Sequence, residues 1–143
     1  YNYSMGEIRV KIRLENAGDL FLKEKGKLGK QKVRAVDTEA VVDTGAVMML
    51  LPQDLTEALG LDLAGKMIVT LADETKKELD VARRIAVTIA GRQWETDCLV
   101  GPPDCEPLIG QLILERLDLI LDPLKRTVTP RPESPYLPTL KLK

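Results

Sequence analysis

From Glu7 to Glu15, charged and apolar residues alternate without a break. Glu7, Arg9, Lys11, Arg13 and Glu15 interleave with Ile8, Val10, Ile12 and Leu14. A period of two suits a β-strand, whose successive side chains point to opposite faces, and does not suit a helix. One face of this segment must be buried and the other wet. The buried face has to be aliphatic, because 143 residues hold only one Phe, one Trp and three Tyr, while 44% are hydrophobic. The length is enough for one domain with its own core.

The same pattern recurs along the chain. Asn16–Lys32 holds three glycines and many charges, and reads as a long hairpin connection. Its basic cluster, Lys23–Lys32, is interrupted by Glu24 and reads as a solvated loop. Val33–Val42 returns as a strand with Val36, Thr38, Ala40 and Val42 on one face. Val47–Leu51 is a short apolar strand. Pro52 then suits a first helical position, Leu55 and Leu59 share a face, and Gly60 supplies a left-handed stop. Met67, Val69 and Leu71 begin a strand that turns through the polar tip Ala72-Asp73-Glu74-Thr75 and comes back as Leu79–Ile89. Trp94–Val100 follows the turn at Ala90-Gly91-Arg92, and Gly101-Pro102-Pro103-Asp104 breaks the chain. Gln111–Arg116 is a short helix, and Leu117–Leu121 with Arg126–Thr129 forms a last hairpin. Many short strands with one or two short helices point to a mainly-β, closed or partly closed barrel.

Several function classes fall away on composition. With 21 basic and 22 acidic residues the net charge is −1, so nucleic acid is not expected as a partner; nor is a membrane, since no segment is long enough to span a bilayer. The longest apolar run, Val47–Leu51, is far shorter than the roughly 20 residues of a membrane span. No apolar leader precedes Glu7, and Met5 is expected to be the natural start, with Tyr1–Ser4 an added remnant. The expected location is the cytoplasm. Cys98 and Cys105 are expected to be reduced thiols, and two cysteines without histidine make a poor zinc site, so no metal or other cofactor is expected. The lack of histidine also rules out Ser-His-Asp and Cys-His arrangements. If the chain is a hydrolase, carboxylates or a lysine must move the protons.

One segment carries that chemistry. Ala40-Val41-Val42-Asp43-Thr44-Gly45-Ala46 joins an apolar strand to a carboxylate on a turn. A tetrapeptide of the Asp-Thr/Ser-Gly-Ala type arises by chance in roughly one chain of this size in two hundred. Asp, Thr and Gly also favour ordinary turns. A second motif, Pro107-Leu108-Ile109-Gly110 leading into Gln111–Leu117, places an apolar pair and a glycine before a short helix.

Together these motifs resemble the retropepsin-like aspartic peptidases, especially their stand-alone prokaryotic members. The resemblance also takes in Leu50–Gly60, Met67–Ile89 and Leu119-Ile120-Leu121-Asp122-Pro123, and covers roughly Val33 to Pro130. It implies an acid-protease-like barrel over residues 5–130. It leaves 131–143 as a proline-containing tail, expected at a dimer interface because Tyr136, Leu137, Leu140 and Leu142 are apolar.

The resemblance further implies an aspartic endopeptidase that cuts extended peptides. Two carboxylates held about 3 Å apart share one proton, so one activates water while the other polarises the scissile carbonyl. The chain has one Asp-Thr-Gly; Asp37-Thr38-Glu39 lacks the glycine. The second Asp43 must then come from a two-fold related copy, and the enzyme is expected to be a homodimer. Thr44 is expected to bond across the dimer axis, Gly45 to permit the turn and Ala46 to keep the floor tight. Leu108, Ile109 and Gly110 are expected to support the site from behind. Leu71, Ala72, Asp73, Glu74 and Thr75 correspond to the tip of a flap, here acidic and without glycine from Met67 to Arg84, so stiffer than usual. A second reading keeps the fold as a peptide-binding or interaction module with little or no peptidase activity. A third is a turn-rich barrel with a chance Asp-Thr-Gly, which predicts a monomer.

Overall fold

The alternating segment forms β1 (Arg9–Asn16) in a computed structural model that describes residues 7–71 and 73–133. Ile12 and Leu14 are buried, while Arg9, Lys11 and Arg13 face solvent. β1 pairs antiparallel with β2 (Ala35–Val42), Leu14 lying opposite Val36 and Val10 opposite Ala40. Ala40 is fully buried, and Val36 and Val42 pack on the core from the same face. Ion pairs such as Arg13–Asp37 decorate the outside. Exposed pairs contribute at most about 1 kcal/mol. Each buried Ile or Leu contributes roughly 1.5–3 kcal/mol, so the inward face holds the hairpin.

Five further strands complete the main sheet: β3 (Leu50–Pro52), β4 (Asp62–Thr70), β5 (Lys76–Ile89), β6 (Arg92–Gly101) and β7 (Leu108–Ile109). Their order is β1-β2-β7-β3-β6-β5-β4, and β1 also pairs with β5. That extra pairing closes six strands into a barrel and leaves β4 outside it, hydrogen-bonded to β5. The interior is aliphatic: Leu14, Leu51, Leu59, Ile85, Val87, Ile89, Ile109 and Leu117 are fully buried. Trp94 packs only at the margin. A separate hairpin, β8 (Leu119–Asp122) with β9 (Thr127–Pro130), follows the barrel. Among the described residues no helix is long and apolar enough to cross a membrane.

The stretch after β1 is not the expected loop. Ala17–Glu24 forms a helix, α1. Asn16 caps it: its side-chain oxygen accepts the Asp19 N–H at 3.0 Å, and its amide donates to the Leu59 carbonyl at 2.8 Å. The Asp19 carboxylate, itself buried, accepts the Arg34 N–H, Nε and Nη2 at 2.9–3.0 Å. Gly26 ends the helix, with Lys27 N–H bonded to the Leu22 carbonyl and Gly26 N–H to that of Lys23. The second helix, α2 (Gln53–Ala58), ends as expected at Gly60. Pro52 stands one residue before it rather than at its first position, and completes β3.

The strand expected at Val47–Leu51 begins only at Leu50, because the preceding carbonyls are used elsewhere. Gln111 N–H bonds the Ala46 carbonyl at 2.7 Å and Leu112 N–H that of Val47 at 3.1 Å. These donors open the third helix, α3 (Gln111–Arg116). Gly110 lies directly beneath. A Cβ there would come within 2.7 Å of the Ala46 and Val47 carbonyl oxygens and 2.8 Å of that of Met48. Leu117 closes α3 and is not part of the last hairpin. Residues Tyr1–Ser4, Ala72 and Tyr136–Lys143 lie outside the described residues.

Two predictions follow from this packing. Gly110→Ala forces backbone apart and should cost about 2–3 kcal/mol of unfolding free energy by denaturant titration. A loss below about 0.5 kcal/mol would show that the 46–48 carbonyls move freely. For Asp19, the Arg34 hydrogen bonds hold the carboxyl below its ordinary 3.8. A depressed folded-state value stabilises above the unfolded value and is lost as pH falls through the folded one. Asp19→Asn should therefore melt below the wild type at neutral pH, with the gap closing well below pH 3.8. A gap that persists undiminished in acid would contradict the ion pair's role.

Candidate active site

β2 delivers Asp43 at its C-terminal end, and the chain turns at once. Ala46 N–H bonds back to the Asp43 carbonyl at 3.1 Å, closing a tight turn. Within it the Asp43 carboxylate Oδ1 accepts the Gly45 N–H at 2.9 Å. Oδ2 has no hydrogen-bond partner among the described residues. Gly45 is not in a left-handed conformation. Its contribution is the missing side chain: a Cβ would crowd Asp43 Oδ1 at 3.2 Å. Asp43, Thr44 and Gly45 are exposed on the single chain, and Ala46 is half-buried.

The turn is seated on β7 and α3. Val41 and Val42 pair in parallel with Leu108 and Ile109, and the Asp43 N–H donates to the Ile109 carbonyl at 3.0 Å. Val41 N–H bonds the Pro107 carbonyl at 2.9 Å. The two motifs, 65 positions apart from Asp43 to Leu108, therefore meet as one backbone unit. Thr44 lines a concavity with Gln111, Leu114, Asp118, Ile120 and Arg131. Asp37, from the similar-looking triplet without glycine, is exposed on β2 and pairs with Arg13.

The expected flap is a long hairpin of β4 and β5. Asp80 of β5 lies opposite Val100, near the end of β6, so the hairpin from Thr70 to Lys76 runs on past the barrel wall. Leu71 N–H bonds the Thr75 carbonyl at 2.8 Å, and Asp73 accepts both the N–H and the hydroxyl of Thr75. Those bonds hold the Asp73 carboxyl below its ordinary value. With no glycine at the tip, Glu74 takes the left-handed conformation, at φ 70°. That placement costs a non-glycine residue roughly 1–2 kcal/mol.

A cleft of about 470 Å³ opens between α2 and the stem of this hairpin. Leu61, Leu63, Leu79 and Pro102 give it apolar walls, with Glu57 and Lys66 among the polar lining residues. None of Asp43–Ala46 lines it. These wall residues come from four separate segments, which is why no local sequence signal singles them out.

Neither thiol is set up for nucleophilic work. Cys98 is buried, which pushes its thiol up to about 12. Cys105 is half-buried and shifted up by the same cause, aided by the charge of Asp54. Both are free. No three Cys, Asp or Glu side chains stand close enough to hold a metal ion among the described residues.

Comparison with known proteins agrees with this architecture. The family model for the gag-polyprotein putative aspartyl protease matches residues 30–116, from the loop before β2 to the end of α3. No curated protein matches the chain. The match spans the Asp43 turn, the β4–β5 hairpin and the Leu108-Ile109-Gly110 support in order. More than half of the chain is covered, and the chain belongs to the retropepsin-like aspartyl protease family described by that model.

Proposed function

We propose that the chain is an aspartic endopeptidase that works as a homodimer, with Asp43 from each copy forming the catalytic pair. The observation that carries this reading is the Asp43 turn, exposed at the surface yet anchored to Ile109 by main-chain hydrogen bonding. One such turn supplies half of a dyad. A two-fold partner supplies the other half, and an isologous contact brings like residues together by symmetry. Thr44 beside each Asp43 then ties the two turns across the axis.

The chemistry follows from two adjacent carboxylates. Their shared proton leaves one as the general base that deprotonates water and the other as the acid that polarises the carbonyl. Titration belongs to the pair. The β4–β5 hairpin acts as the flap that covers an extended peptide and excludes water. The cleft between its stem and α2 receives a substrate side chain, its apolar walls suiting an aliphatic group. The free thiols fit a reducing compartment such as the cytoplasm. The internally bonded acidic tip favours a second reading, a peptide-binding module with slow or no turnover.

Two measurements test the proposal. Asp43→Asn should abolish cleavage of a diverse peptide library between pH 3 and 8, a loss of at least about 10³-fold. Equal cutting by both proteins, or no cutting by either, would remove the peptidase reading. For the dimer, adding Asp43→Asn protein to wild type should depress activity in proportion to the mixed dimers formed. Activity that depends only on the wild-type concentration, together with a monomer in sedimentation at high concentration, would rule out a shared dyad.

A further inference from the structure

The helix α1 leaves two of its large apolar side chains in solvent. Its buried residues are the small Ala17 and the ion-paired Asp19. Of its three large apolar side chains, Leu20 is half-buried, while Phe21 and Leu22 are 58% and 40% exposed. A surface helix normally hides such residues against the core. Beside them stand five exposed lysines, Lys23, Lys25, Lys27, Lys30 and Lys32, against the single acidic residue Glu24.

The fold gathers these lysines. The hydrogen-bonded stop at Gly26 reverses the chain, so that Lys23 and Lys32 line one concavity with Gly26, Gly29 and the Arg13–Glu15 ion pair. The Lys25 ammonium lies 5.7 Å over the Phe21 ring. Among the described residues, no carboxylate pairs with any of the five. The patch sits at the end of the β1–β2 hairpin away from Asp43. Arg9 pairs with Val41 near the Asp43 turn, and Glu15 with Ala35 at the other end. Six strand steps, from Arg9 to Glu15, separate the two by about 20 Å. α1 also precedes the segment matched by the family model, which begins at residue 30.

We propose that α1 and the lysine loop dock this chain on an anionic lipid surface. Phe21 and Leu22 enter the headgroup layer while the lysines face acidic headgroups, the division of labour of an interfacial helix. The net charge of −1 conceals this, because five of the 21 basic residues stand together here while the acidic residues that balance them lie elsewhere in the chain. A nucleic acid or acidic protein would satisfy the lysines but leave the exposed Phe21–Leu22 pair unexplained. The proposal is independent of Asp43.

Vesicle co-sedimentation tests it, with phosphatidylcholine alone set against an equal mixture with phosphatidylserine. The protein should pellet only with the mixture at low salt. It should be released when salt rises from about 0.1 to 1 M, as the screening length falls from about 10 to 3 Å. Lys25→Gln/Lys27→Gln should weaken partitioning about 25-fold, and Phe21→Ser/Leu22→Ser should weaken it with all charges kept. All four side chains are exposed, and an unchanged thermal melt verifies the fold of each variant. Absence of binding to the mixed vesicles would overturn the proposal. So would binding unaffected by Phe21→Ser/Leu22→Ser, or equally tight binding to a DNA fragment, either of which marks a general polyanion patch.

Discussion

β1 bonds to β2 along one edge and to β5 along the other, and this double pairing removes the open edges of six strands. Unpaired edges invite association with other chains, so closure is what lets a chain of short strands persist as a discrete unit. It also sets the core. A barrel this small has room only for side chains, and the inward positions are accordingly Leu, Ile, Val and Ala, with Met49 and Cys98. β4 is the exception, carried outside the barrel on β5. Its bulge between Leu63 and Lys66 and its charged neighbours protect the edge that results. That freedom from the barrel leaves the β4–β5 hairpin projecting past the barrel wall.

The Asp43 turn depends on the same closure. β7 is two residues long and is held only by being inserted between β2 and β3. It is parallel to β2 and antiparallel to β3, so it carries Gly110 under the 46–48 carbonyls and starts α3 there. α3 is short, and its first N–H groups have partners only because that turn is in place. Turn, strand and helix therefore stabilise one another and form as a unit.

Much of this was legible in the residues. The alternation in β1, the in-phase Ile85, Val87 and Ile89, and the Gly60 stop reflect local period and turn chemistry, and local rules decided them. The Asp43 turn and Leu108-Ile109-Gly110 stood out through their resemblance to a known family, and in the structure Val41 and Val42 pair with Leu108 and Ile109. α1 was not. Gly18, Gly26 and a run of lysines argue for a loop, and the helix forms because Asn16 and Asp19 find partners at Leu59 and Arg34, far away in sequence. A capping residue three positions before an acid, Asn16 before Asp19, was the signal available. The early start of β4 at Asp62 was hidden for a similar reason: Asp62 looks like a turn residue but is held opposite Arg83 of β5, and Gly65 sits in the bulge that follows. The cleft beside the hairpin had no local signature at all.

The bonds that seat the Asp43 turn run almost wholly from main chain to main chain. Asp43 to Ile109, Gln111 to Ala46 and Leu112 to Val47 need no particular side chain at their donors or acceptors. Most neighbouring side chains can thus change over evolutionary time without moving the carboxylate. The walls of the cleft, by contrast, are made of side chains. Substitutions can reshape the cleft while the turn that carries Asp43 stays where it is, with Gly110, packed against the 46–48 carbonyls, among the few positions that cannot follow.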